Sequence, residues 1–415
     1  MAEATIEGRA ASQPLRLQDD EPPQRTAAVA VGVKPAAPAE QDFSAPQRFE
    51  FTGTGSEYFR IWVVNLLLTI LTLGVYSAWA KVRRLQYFYR NTRVAGTIFD
   101  YHGDPKAILK GRILALVLIA AYQISFDISV VAAVIVALIL AGITPWLLAR
   151  AFRFKMANSS YRGLRFHFRG TVGEAYRMLI LFPVVLAFIG LFIWSIVVSY
   201  SRNPGIGVIL LTTLLPLIAL GVTVPLAHYC LKRYQHDNAD YGRTSFYFHA
   251  RASAFFKVYG KAVGFFFLGA IPAAVFGFLT AGLFAFLQKT IFGWLFALVY
   301  GLLNAYAFYL FVRPYLESRI QNLVWNNTEL GMHRFESAAR ARSLLWIHAS
   351  NLALITLTCG LYKPFAAVRL AKYRIESMTL VPSGDLNEFL ADHCNDHAGA
   401  IGQEAGDLFD IDIAL

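Results

Sequence analysis

Long apolar blocks separated by short basic stretches set the pattern of this chain. A helix needs about 20 apolar residues to cross a bilayer. Segments near 110–126, 128–149, 178–200, 206–231, 261–286 and 290–312 come close to or exceed that length. Short turns around Asp127, around Ser201–Pro204 and around Gln288–Thr290 divide them into pairs. The pattern therefore predicts three antiparallel hairpins.

Between the hairpins the period changes. Each linker carries an Asn with a Phe eight residues later: Asn91 and Phe99, Asn158 and Phe166, Asn238 and Phe246, Asn327 and Phe335. A glycine follows each Asn by four or five residues, at Gly96, Gly163, Gly242 and Gly331. Around the Phe the aromatics alternate, as in Phe99-Asp-Tyr101, Phe166-His-Phe168 and Phe246-Tyr-Phe248, and Phe49-Glu-Phe51 repeats the alternation without an Asn. Asn tolerates the left-handed conformation that closes a helix, and Gly supplies positive φ in a turn. Period-2 aromatics suit a half-buried strand. The units read as helix end, turn and short strand, repeated through five copies that stack. Irregular loops with aromatics at headgroup level are the competing reading. The expected fold class is an all-α polytopic membrane protein, with repeated helical hairpins (six to eight transmembrane helices) linked by short cytoplasmic β-strands.

The outermost apolar segments differ from the rest. Asn65, Thr72, Gly74, Tyr76, Ala80, Val82, Arg83 and Tyr87 in 59–90 recur as Asn351, Thr358, Gly360, Tyr362, Ala366, Val368, Arg369 and Tyr373 in 344–374, at one constant offset. Each segment runs apolar up to a Thr-x-Gly-x-Tyr break and continues as a basic amphipathic stretch. Two topologies fit. Either 59–80 and 344–366 each span fully and both tails lie outside, or each segment turns at its glycine and returns to the cytoplasm. Non-helical backbone at membrane depth is tolerated only where protein or a water-filled cavity surrounds it. Charge favours the returning form, which keeps Arg369, Lys372, Arg374 and both termini cytoplasmic.

Composition agrees with a membrane protein. Of 415 residues 56% are hydrophobic and 16% charged, and the mean hydropathy is +0.46. A soluble domain carries more polar surface. The linkers hold 26 Lys and Arg, against two (Arg202 and Lys289) in the hairpin turns. Basic loops stay cytoplasmic, so the linkers face inward. Topology explains these charges without nucleic acid. Residues 1–48 are Pro- and Ala-rich and predict a disordered tail, residues 49–377 the repeat-built transmembrane domain, and 378–415 an acidic tail. Cys230, Cys359 and Cys394 are too scattered for a disulfide framework or a zinc site.

The runs EYFRIWVVNLLLTILTLGVYSAWAKVRRLQYFYRNT, FDYHGDP and NSSYRGLRFHFRGT, with the closing GDLFDIDIAL, resemble the YjgN family of bacterial inner-membrane proteins, a domain-of-unknown-function family. The likeness covers roughly Phe49 to Leu415. It implies a multi-pass inner-membrane protein of a Gram-negative bacterium and no particular activity.

No phosphate-binding loop or catalytic motif is present, so neither an enzyme nor a cofactor is expected. No carboxylate sits at mid-bilayer depth in the six segments, which disfavours an ion-coupled transporter. His228 lies at a cytoplasmic end, and Gln123 and Asn304 suit interhelical hydrogen bonds. Asp392-His393-Cys394-Asn395-Asp396-His397 matches no closed metal site. The candidate binding residues are therefore Asn65, Thr72, Gly74, Asn351, Thr358 and Gly360, at two broken segments that together can line a polar cavity. Asn91, Gly96, Asn158, Gly163, Asn238, Gly242, Asn327 and Gly331 are candidate structural turns. Two functions fit: transport or handling of a small molecule or lipid, and a structural or assembly role with a cytoplasmic protein partner. The bilayer is the partner implied; oligomeric state is left open.

Overall fold

Two-residue turns built on Ala95-Gly96 and Arg162-Gly163 fold the chain back on itself. Both central residues have positive φ, 48° and 72° in the first turn, 48° and 81° in the second. That is the type I′ pattern, whose twist matches paired strands. At Gly242-Arg243 and Gly331-Met332 only the glycine is positive (58° and 57°), the type II′ pattern. The computed structural model describes residues 45–202, 206–287 and 290–383.

In chain order, β1 (Gln47–Arg48) and β2 (Glu50–Phe51) lead into helices α1 (Gly55–Leu71) and α2 (Ser77–Arg90). Then come β3 (Thr92–Val94), β4 (Thr97–Tyr101), α3 (Pro105–Ile128), α4 (Val130–Ala157), β5 (Ser159–Tyr161) and β6 (Leu164–Phe168). The third unit is α5 (Val172–Leu179), α6 (Leu181–Arg202), α7 (Ile206–Asp237), β7 (Ala239–Tyr241) and β8 (Thr244–Phe248). The fourth is α8 (Ala252–Leu287), α9 (Ile291–Trp325), β9 (Thr328–Leu330) and β10 (His333–Ser337). The chain finishes with α10 (Ala341–Leu357), α11 (Lys363–Glu376) and β11 (Met378–Val381).

The strands form one antiparallel sheet in the order β1-β11-β10-β9-β8-β7-β6-β5-β4-β3-β2. β1 and β2 are halves of one extended segment interrupted at Phe49. The first half pairs with β11 (Gln47 opposite Leu380) and the second with β3 (Phe51 opposite Thr92). The sheet thereby closes into a ring, which removes exposed strand edges. It takes in Gln47–Arg48 and Met378–Val381, beyond the expected limits of 49–377.

The aromatic alternation fills this ring. Phe49, Phe99, Tyr161, Phe166, Tyr241, Phe246 and Phe335 meet in its interior core, with Phe99 and Tyr161 ring centroids 4.7 Å apart. The Tyr161 hydroxyl donates to Val94 O (2.9 Å) and the Tyr241 hydroxyl to Tyr161 O (3.0 Å), so no buried phenol lacks a partner there. Two residues on, Phe51, Tyr101, Phe168 and Phe248 enter separate smaller cores against the helices. The interior is packed, and the ring is a plug instead of a pore.

The Asn of each linker works differently from the left-handed cap that the sequence suggests. Asn91 and Asn158 have φ of −91° and −95°. Their side-chain amides donate to the carbonyl four residues back, Asn91 to Tyr87 (2.8 Å) and Asn158 to Phe154 (2.7 Å). Asn238 does so to Tyr234 and Asn327 to Leu323. Their own carbonyls accept from the preceding unit: Thr52 N–H to Asn91, His102 to Asn158, Arg169 to Asn238 and His249 to Asn327. Each Asn therefore ties a helix end to the strand of the unit before it.

Turns at one end of the ring and helices at the other follow from this order. Every helical excursion starts and ends on paired strands, so all five helical hairpins leave the ring from the same end. Around it α2 packs on α3, α4 on α6, α7 on α8, α9 on α10, and α11 on α1, closing a circle of helices. Thr54, Asp104, Ser129 and Thr290 cap their helices through side-chain oxygens, and Thr171 with Glu174 forms a capping box.

The fold is thus not all-α, because the linkers build a ring-shaped sheet of eleven strands. Nor do the described residues show six to eight spans. Among the described residues four helices are long and apolar enough to cross a bilayer: 105–128, 131–157, 213–237 and 252–271. Among the described residues Phe292–Leu302 of α9 is a shorter apolar stretch. Helices α3, α4, α6, α7, α8 and α9 overlap the six apolar segments, whereas strands of two to five residues are too short to stand out in hydropathy read along the sequence.

Candidate functional site

Both broken segments fold as the same device. Helix α1 stops after 17 residues, and so does α10. Leu73 (φ 51°) and Gly74 (φ 94°) turn the first chain, Cys359 (49°) and Gly360 (92°) the second. The Gly74 N–H donates to Thr69 O (2.8 Å) and the Gly360 N–H to Ile355 O (2.7 Å), the reach of a Schellman motif. The Thr72 hydroxyl donates to Leu68 O (2.7 Å) and accepts from Tyr76 N–H (2.9 Å), as Thr358 does with Leu354 and Tyr362. Thr72, Gly74, Thr358 and Gly360 thus spend their polar groups on the turn itself.

Asn65 and Asn351 are buried, and each Oδ1 lacks a hydrogen-bond partner among the described residues. The Asn351 amide donates to Ala366 O (3.3 Å), joining α10 to α11. Ring closure sets the two short hairpins side by side through α1 and α11, with Phe59 and Phe365 ring centroids 5.5 Å apart. At Gly55 any Cβ would fall 2.5 Å from the Phe365 ring. The turns carry apolar tips, Leu73 being 95% exposed and Leu357 78%.

A groove of about 600 Å³ runs between α1 and α2, lined by Glu57, Arg60, Val64, Arg83, Gln86 and Arg90 among others. Arg90 is paired with Asp100 at 2.8 Å. The Tyr87 hydroxyl donates to Thr54 O (2.8 Å), and burial, then the Glu57 charge, pushes it up to about 12. Arg60 and Arg83 have no carboxylate partner among the described residues, and Arg83 lies 5.7 Å from the Tyr76 ring centroid.

A second cavity, of about 310 Å³, opens inside the circle of helices. His228, Lys232 and His236 of α7 line it with Tyr259 of α8, Gln321 of α9 and Arg374 of α11. Its one acidic lining residue, Glu317, is already paired with Arg313 (2.7 Å) and His348 (2.8 Å). Burial pushes that carboxyl up, but the hydrogen bonds and charges of His348 and Arg313 outweigh it and hold it at about 2. A third cavity, about 400 Å³, lies along β9–β11. None of the three is lined by Asn65, Thr72, Gly74 or their mates. The cationic cavity escaped the sequence reading because its residues are spread over four helices and only ring closure gathers them.

Residues 46–408 match the family described as bacterial protein of unknown function (DUF898). The chain belongs to that family. Its relatives include the inner membrane protein YjgN of Salmonella typhimurium, 25% identical over 356 residues that cover 81% of this chain and 88% of that one. Inner membrane protein YjgN of Escherichia coli O157:H7 is 32% identical over 146 residues, 34% of this chain and 35% of its own. No solved structure matches. Relatives and apolar helices together support an inner-membrane location for this DUF898 member.

The other expected positions divide. His228 is half-buried, its Nδ1 2.9 Å from the Tyr259 hydroxyl. Gln123 is exposed and makes no interhelical hydrogen bond among the described residues. The Asn304 side chain and the stretch 392–397 lie outside the described residues. No cluster of potential metal ligands occurs among the described residues.

Proposed function

We propose that the protein transports an anionic phospholipid, or a similar amphiphile, through the inner membrane along its first short hairpin. The observation that carries this reading is the pairing of the exposed apolar tip at Leu73 with the arginine-lined groove beside it. At 1.5 Å per residue α1 reaches roughly 25 Å from the ring, whereas α8, with 36 residues, reaches roughly 54 Å. Two such short hairpins stand next to each other, so the bundle is open on that side beyond their tips. A lipid there meets apolar side chains in the acyl region and Arg60 and Arg83 at the level of its headgroup. Arginine suits phosphate because its planar fork donates two parallel hydrogen bonds. The ring faces the cytoplasm in this reading, because the basic linkers surround it.

The test is trans-bilayer movement of fluorescent phosphatidylglycerol in vesicles containing the purified protein, read by quenching from outside. The protein should accelerate exchange over protein-free vesicles, and Arg60→Gln with Arg83→Gln should slow it. No acceleration by the wild type refutes the reading.

A further inference from the structure

Directly beneath the aromatic plug, basic side chains from separate hairpins converge without carboxylates to balance them. Lys155 precedes Met156, and Arg374 precedes Ile375; both neighbours pack against the ring core, as Trp325 does. Lys155 and Arg374 lie within electrostatic reach of Lys232. Helices α7 and α11 belong to hairpins separated by the α8–α9 hairpin, so Lys232 and Arg374 meet only across the interior of the circle. On the other side, packing around Lys81 and then the charges of Arg112 and Lys155 pull its ammonium below the ordinary lysine value.

Their partners are neutral. The Lys232 ammonium donates to Gln235 Oε1 (3.1 Å), the Arg374 guanidinium to Gln321 Oε1 (3.0 Å), and Arg112 to the Ser77 hydroxyl. Among the described residues none of these five cations has a carboxylate within ion-pair distance. The only acidic residue lining the cavity has both oxygens engaged by Arg313 and His348.

Like charges gathered in this way repel, and the cost grows as water is excluded. An anion between them removes that cost. The cavity of about 310 Å³ is far larger than a halide needs and sits at the small end of small-molecule sites, roughly 300–1,000 Å³. Lys232 of α7 and Arg374 of α11 reach the cavity from separate hairpins, and Lys155 of α4 adds its charge nearby. We propose that this vestibule binds a phosphate group between Lys232 and Arg374, with Lys155 adding to the positive field and Tyr259 on the cavity wall. The inference is independent of the groove at the first hairpin. A lipid headgroup or a free phosphate equally satisfies it, and only the former also serves lipid transport.

The full-length protein in detergent is compared by thermal unfolding in sodium phosphate and in sodium chloride at matched ionic strength, and in nanodiscs of phosphatidylglycerol and of phosphatidylcholine. A higher Tm in phosphate assigns the site to a free anion, and one only in phosphatidylglycerol assigns it to a headgroup; both support the site. In either case Lys232→Gln and Arg374→Gln should abolish the rise, while Lys106→Gln, on the exposed start of α3, should keep it. Native mass spectrometry of the wild type covers the case in which those variants do not fold. The proposal is overturned if neither phosphate nor phosphatidylglycerol raises Tm and no phosphate-bearing adduct is found. It is equally overturned if the rise survives in both variants.

Discussion

Replacing Asn158 separates two ways in which an asparagine can end a helix. Its Nδ2 donates to Phe154 O at 2.7 Å, while the same oxygen also accepts the Asn158 N–H at 3.2 Å. Asn158→Ala therefore removes one bond without orphaning the carbonyl, and costs about 1 kcal/mol. Asn158→Asp puts an acceptor against an acceptor and a negative charge at a helix C-terminus, which adds about 0.5–1 kcal/mol. Asn158→Gly loses the same bond and gains nothing at φ −95°, with about 0.5–1 kcal/mol of extra backbone entropy. The expected order of stability is wild type, then Ala, then Asp and Gly. Thermal unfolding in detergent, followed by tryptophan fluorescence, reads these losses as Tm shifts of about 1–3 °C per kcal/mol in a chain of this size. If Asn158→Gly were as stable as wild type, the residue would be serving a left-handed cap and the side-chain rivet would be wrong.

Three further outcomes are expected. Gly163 has φ 81° and nothing within 4 Å of an added Cβ, so Gly163→Val should lose about 1–2 kcal/mol through backbone strain alone; unchanged thermal stability would contradict the turn. The Glu317 carboxyl is lowered from 4.5 to about 2 on folding, so its contribution is complete above pH 4.5 and fades as pH falls towards 2. Tm measured across that window should fall more steeply for the wild type than for Glu317→Gln, and parallel curves would remove this role. Because β1 and β11 pair, both termini should lie on one side of the membrane. Single cysteines at residue 10 or 400, in a background without the native three, should escape an impermeant thiol reagent in intact cells while one at Asn203 reacts; labelling of both tails would reverse the orientation.

What the sequence determined by itself is local. Positive φ at Gly96, Gly163, Gly242 and Gly331 follows from the spacing of turn and strand residues, because a two-residue turn depends on a few consecutive dihedrals. The aromatic alternation reflects the pleat, which also acts between neighbours two apart. The matched breaks at Thr72-Leu-Gly74 and Thr358-Cys-Gly360 repeat in structure because the same hydrogen bonds are available to the same residues. The tertiary structure decided the rest. Nothing near Gln47 announces that it will pair with Leu380, and strands this short are stable only once their neighbours are in place. Closure of the ring turned linkers into the organising sheet and set the short hairpins side by side. It also brought Lys232 and Arg374 to the wall of one cavity, with Lys155 within electrostatic reach of Lys232, since proximity among residues so far apart in the chain arises from long-range strand pairing, which no local pattern encodes.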